Sequence, residues 1–105
     1  MNCAYVVAEV EIADPENYRL YSSQVLPTLA AYGGRVLARG GERLQLEGED
    51  ASHHARLRTV IIEFPSLQHA RDWHASAAYT PLRAIREQYS TGRVFVVEGA
   101  AQASV

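Results

Sequence analysis

The sequence contains no lysine: its ten basic residues, from Arg19 to Arg93, are all arginine, and twelve acidic residues leave a net charge of −2. These arginines are scattered and form no basic block, so the chain lacks the electrostatic footprint that nucleic acid requires as a partner. Every cationic contact is instead a planar, permanently charged fork suited to carboxylates. A single cysteine, Cys3, excludes an intramolecular disulfide, and a reduced, intracellular setting is expected, with Cys3 buried at the start of an apolar strand. No apolar run approaches transmembrane length, and Met1 leads straight into an alternating pattern without a basic or continuously apolar leader. The expectation is a cytoplasmic chain with no membrane partner. Gly-x-Gly-x-x-Gly, P-loop and nucleophile-elbow patterns are also missing, which removes the common phosphate cradles and activated serines.

What is present suits one small domain, expected over residues 1–99 with a tail at 100–105, since 105 residues at 48% hydrophobic content support one compact core. Residues 4–12 alternate, Val6, Ala8, Val10 and Ile12 on one face against Tyr5, Val7, Glu9 and Glu11 on the other. Asp14-Pro15-Glu16 is a helix start, with a capping carboxylate, proline in the first turn and an acidic residue after it. Tyr18, Tyr21, Val25, Leu29 and Tyr32 then make one apolar stripe, which Pro27 is expected to kink or break. Gly33-Gly34 ends this helical stretch, Arg35–Arg39 is a short strand, and Gly40-Gly41 turns the chain toward Leu44–Leu46, which continues or pairs with that strand.

Residues 47–56 are polar and carry adjacent His53 and His54, an exposed loop by composition. From Leu57 to Phe64, Val60, Ile62 and Phe64 alternate against Thr59, Ile61 and Glu63. Ser66 caps a helix containing Leu67, Ala70, Trp73 and Ala77; Thr80-Pro81 starts another, with Leu82, Ile85 and Tyr89 inward. Gly92 resets the chain before a last strand at Val94–Val97.

The order strand, helix, strand, strand, helix, strand is the split βαβ arrangement, an α+β ferredoxin-like sheet with helices on one side. Its other face would carry Tyr5, Val7, Thr59, Ile61, Phe95 and Val97, too apolar to stay wet, so a homodimer of stacked sheets is expected.

Tyr18-x-x-Tyr21, Tyr32-Gly33-Gly34-Arg35-Val36-Leu37-Ala38-Arg39-Gly40-Gly41, Leu46-Glu47-Gly48, Ile61-Ile62-Glu63-Phe64-Pro65-Ser66, Ala70-x-x-Trp73, Ser76-x-x-Tyr79, Leu82-x-x-x-Arg86 and Val97-x-Gly99 follow in order over nearly the whole chain. This series resembles the domain-of-unknown-function family 1330 (DUF1330). The resemblance implies a dimeric α/β barrel, a superfamily whose members include cofactor-free monooxygenases, muconolactone isomerases and proteins with no assigned reaction. Ala78 stands where the family usually has an acidic residue.

The polar and amphipathic members of these segments are the candidate site. Arg39, Trp73 and Arg86 are expected to bind a small carboxylate- or carbonyl-bearing ligand, with Glu63 or His74 as base and Tyr79 as hydrogen-bond donor. The competing assignments are structural: a cross-strand ion pair between Arg39 and Glu63, a helix-end or interface role for Arg86, core packing for Trp73, Tyr18 and Tyr21, and a satisfied core histidine at His74. His53 and His54 are adjacent and unaccompanied by other metal-ligand patterns, and His69 and His74 are about 140° apart around a helix, so no metal is expected. The functional expectation is a cofactor-free small-molecule binder, with acid/base or oxygenase chemistry; the alternative is a non-catalytic structural dimer.

Overall fold

A computed structural model describes residues 2–48 and 56–100 of the chain. His53, His54 and the tail from residue 101 lie outside the described residues. Strand β1 (Ala4–Ile12) leads to helices α1 (Pro15–Ser22) and α2 (Val25–Leu29), a 3-10 turn at Ala30–Tyr32, and strand β2 (Arg35–Arg39). Strand β3 (Leu57–Phe64), helices α3 (Leu67–Ala75) and α4 (Thr80–Tyr89), and strand β4 (Ser90–Glu98) complete it. The fold is α+β and ferredoxin-like: an antiparallel four-stranded sheet in the order β2-β3-β1-β4, open at both edges.

Asp14 caps α1 by accepting from the Asn17 backbone N–H. Pro27 then acts as expected. It lies in the first turn of α2, and its ring excludes the carbonyl of Ser23 four residues earlier, so the helical run divides at Ser23-Gln24 rather than bending through. Gly33 ends the 3-10 turn at φ 71°. Ser66 caps α3 through its hydroxyl, which accepts from the His69 N–H at 3.1 Å.

Four local expectations are corrected. Leu44–Leu46 neither extends nor pairs with β2: residues 41–48 form no strand, and Leu44 and Leu46 are exposed. The strand stops because the Gly40 N–H bonds to the Thr59 carbonyl at 2.8 Å and the chain leaves the sheet there. Thr80 does not cap α4, which has no side-chain cap; the turn leading into it is held by Ser76, its hydroxyl accepting from the Tyr79 N–H at 3.2 Å while the Thr80 hydroxyl donates to the Ser76 carbonyl at 2.8 Å. Gly92 lies within β4 instead of before it, opposite Val10, because a Cβ at this position, with φ 152°, would stand 2.1 Å from the Glu9 carbonyl oxygen. Cys3 is exposed, since it precedes the paired part of β1.

The helices cover one face of the sheet. Between them lies the core of Val6, Leu29, Ile62, Phe64, Ala70, Trp73, Tyr79 and Leu82. The register of β1 fixes the opposite face: Tyr5 sits between Glu63 and Val97, Val7 between Ile61 and Phe95, and Glu9 between Thr59 and Arg93.

Candidate functional site

A cavity of about 40 Å³ remains between the helical layer and the inner face of the sheet. Its floor is β-branched and small, with Val6, Ala8 and Val10 from β1, Val36 from β2 and Val60 and Ile62 from β3. Its roof is aromatic and aliphatic, formed by Tyr18, Tyr21, Val25, Leu29, Trp73 and Tyr79. Three arginines, Arg39, Arg58 and Arg86, enter this otherwise apolar lining, and none of the described lining residues is acidic.

Each arginine reaches the cavity for a local reason. Arg86 is in the last turn of α4, buried, and its Nε has no hydrogen-bond partner among the described residues. Its closest carboxylate is Glu87, with 3.9 Å between Nη2 and Oε1 and the glutamate half exposed. Arg58 stands two residues before Val60 and four before Ile62 on β3, so strand alternation turns it inward with them. Its side chain runs over Gly40, where a Cβ would be 2.7 Å from Nε. Arg39 owes its direction to a β-bulge. Val36 pairs with Ile62 and Ala38 with Ile61, leaving Leu37 as an extra residue. That insertion reverses the alternation, so Arg35 faces outward with Glu63 while Arg39 faces inward with Val60. At the rim, Arg39 Nη2 donates to the Ser22 carbonyl at the end of α1 at 2.9 Å, satisfying one of the carbonyls a helix end leaves free.

The phenols and the indole are tied together. The Tyr21 and Tyr79 hydroxyls are 3.1 Å apart, and Trp73 Nε1–H donates to the Thr28 hydroxyl at 2.9 Å. Trp73 and Tyr79 rings lie 4.1 Å apart. Burial pushes the Tyr21 hydroxyl far above the usual phenol range, with Tyr79 adding to the effect. Burial also raises Tyr18, and the charges of Arg58, Arg86 and Arg39 pull it back down. Both phenols therefore stay protonated at neutral pH and act as donors or neutral acceptors.

Of the residues expected to form the site, Tyr79, Trp73, Arg39 and Arg86 line this one cavity. Glu63 does not join them. It lies on the outer face of the sheet, and its carboxylate meets Arg35, not Arg39, at 3.1 Å. His74 packs its ring 5.7 Å from Tyr79 but lines a separate cleft of about 460 Å³ with Arg83, Arg86 and Glu87. Its pKa is lowered, first by burial and then by the charges of Arg83 and Arg86. Arg58 is absent from the expected set, although its phase on β3 with Val60, Ile62 and Phe64 is a usable signal: an arginine on a core face. Among the described residues, no group of three or more His, Cys, Asp or Glu side chains is placed to hold a metal ion. No helix among them is long and apolar enough to cross a membrane.

The family model for a domain of unknown function, DUF1330, matches residues 3–100. The chain belongs to the DUF1330 family. Among solved structures, this DUF1330 protein is similar to a protein of unknown function from Rhodopseudomonas palustris, with a TM-score of 0.70, 20% identity, and 95% of this chain and 84% of that one covered. It is also similar to SnoaB, a cofactor-independent oxygenase from Streptomyces nogalater, with a TM-score of 0.67, 12% identity and both chains covered in full. At these identities the likeness establishes the shared fold. No curated protein matches the chain.

Proposed function

We propose that this DUF1330 protein binds a small organic molecule carrying a carboxylate or carbonyl group in the cavity between its helices and its sheet, and acts on it without an organic cofactor or metal. The observation that carries this reading is the buried Arg86 Nε, left without an acceptor in the wall of an apolar cavity. An unsatisfied buried donor is costly unless something completes it. The likeness in fold to a cofactor-independent oxygenase is consistent with such chemistry, although fold alone does not assign a reaction.

With no described carboxylate or imidazole in the lining, the proton-handling groups are the Tyr18, Tyr21 and Tyr79 phenols. In this reading they donate to an oxygen on which negative charge develops, as an enolate would require, while the arginines supply the field. Trp73 is the only tryptophan and lines the cavity, so its emission reports occupancy. Titrating acetate, a carboxylate, and acetamide, a carbonyl compound of similar shape, is expected to give a saturable change with at least one of them. Val25→Phe, which fills the roof, removes it. No response to either compound from the folded protein would sink the reading.

The active form in this proposal is a cytoplasmic homodimer joined through the outer sheet face, where Val7, Ile61 and Phe95 form an apolar row and Phe95 and Val97 are exposed. Light scattering should give twice the chain mass, and Val7→Glu should halve it; an unmodified protein of single-chain mass contradicts the dimer.

A further inference from the structure

We infer that the end of the cavity bounded by Tyr18, Arg39, Arg58 and Arg86 is a carboxylate subsite, so that the ligand is a small organic acid bound as its anion rather than a neutral carbonyl compound. The inference rests on the small-molecule reading above and narrows it.

The three arginines lining one cavity repel one another, Arg39 least because it is exposed at the rim and bonded to the Ser22 carbonyl, and an anion among them offsets that repulsion. The protein supplies none among the described residues lining the cavity. The other arginines in ion pairs, Arg35, Arg43, Arg56, Arg83 and Arg93, each meet a glutamate within 3.5 Å. Arg86 differs from these in being buried and, among the described residues, in standing 3.9 Å from its nearest carboxylate and in having an Nε with no acceptor. Arg86 Nε is one orphaned donor, and a guanidinium presents it in a planar fork with an Nη–H, a pair that a carboxylate fills with two charge-assisted bonds where an amide or ketone oxygen offers a single neutral atom.

Tyr18 adds a neutral donor to the same wall. Burial keeps its hydroxyl protonated even though the three arginines oppose that, so it can donate to a carboxylate oxygen without adding a second negative charge. The lining also includes Val36, Ile62, Leu29 and Trp73, which offer nothing to a second charged group. The volume, about 40 Å³, is room for roughly three water-sized bodies, taking about 10–15 Å³ for each. A monocarboxylate with a body of one or two carbons meets these conditions.

The test compares acetate with acetamide and with inorganic phosphate, following Trp73 emission at low ionic strength. Acetate is expected to bind at least tenfold more tightly than acetamide. Arg58→Gln, a change at a half-buried position away from the core aromatics, is expected to weaken acetate at least tenfold and acetamide much less; Arg86→Gln should do the same more strongly. Equal binding of acetate and acetamide, with Arg58→Gln without effect, overturns the carboxylate subsite while leaving the small-molecule reading in place. Phosphate displacing acetate at comparable concentration also overturns it, in favour of a general oxyanion site. Binding of none of the three overturns both.

Discussion

His74 sits where burial and the charges of Arg83 and Arg86 work together against its protonation, with only Glu87 opposing them. Its folded pKa is therefore below its unfolded value of about 6.5. Below that value the unfolded chain takes up the proton more readily than the folded one, so the stability is fully present above it and is lost as pH falls toward the folded value. Thermal midpoints measured between pH 8 and 5 should fall on the acid side, and His74→Gln should flatten that limb. A variant whose profile matches the original contradicts the assignment. At this scale the site is half legible in the sequence. Trp73, Tyr79 and Arg86 can be found because their segments are amphipathic and their spacing turns them inward. Arg58 is legible by strand phase, yet it falls outside the matched segments that define the expected set. Arg39 is not readable by phase, since strict alternation puts it beside Arg35 on the outer face and only the extra residue Leu37 turns it round. The same bulge explains why Glu63 meets Arg35 instead.

Helices and strands in this chain are set by a few short signals. Asp14, Ser66 and Pro27 act as their chemistry requires, capping α1, capping α3 and dividing α1 from α2. Thr80 misleads because its neighbour Ser76 is better placed: that hydroxyl donates to the Trp73 carbonyl at 2.7 Å and accepts from the Tyr79 N–H, so it joins the end of α3 to the start of α4. By this route the turn between two helices fixes the position of Tyr79 over the cavity. Gly92 is the other local determinant, because β1 and β4 approach so closely there. Gly92→Ala should cost about 3 kcal/mol through overpacking and an unfavourable backbone angle, whereas Gly41→Ala, where nothing lies within 4 Å, should be close to neutral. Urea unfolding of the two variants checks this, and similar midpoints would show that the β1–β4 contact is looser than described. Placing Gly92 ahead of the last strand is the wrong expectation because glycine marks a close approach within a strand as readily as a break before one.

For the molecule as a whole, the strand signals and the apolar helix stripes are enough to derive the ferredoxin-like order, and the four-stranded sheet follows it strand by strand. The same alternation divides the sheet between two tasks. Its inner face forms the cavity floor. Its outer face carries the Val7 row together with Glu9, which is held ionised by its hydrogen bond to Arg93 and the charge of Arg43, against the effect of burial. With the outer face joining two copies and the inner face taking the ligand, as proposed, dimerisation and binding are separable by mutation. The location of the cavity is not legible in the sequence, because it depends on where Pro27 lifts α2 and where the bulge turns Arg39, neither of which periodicity specifies. The most direct measurement is a crystal structure of the protein grown with acetate. The methyl group is expected against the apolar lining, with a carboxylate oxygen about 3 Å from Arg86 Nε. Acetate bound only on the outer sheet face, or a cavity closed by its own side chains with Arg86 Nε bonded within the chain, would contradict the carboxylate site.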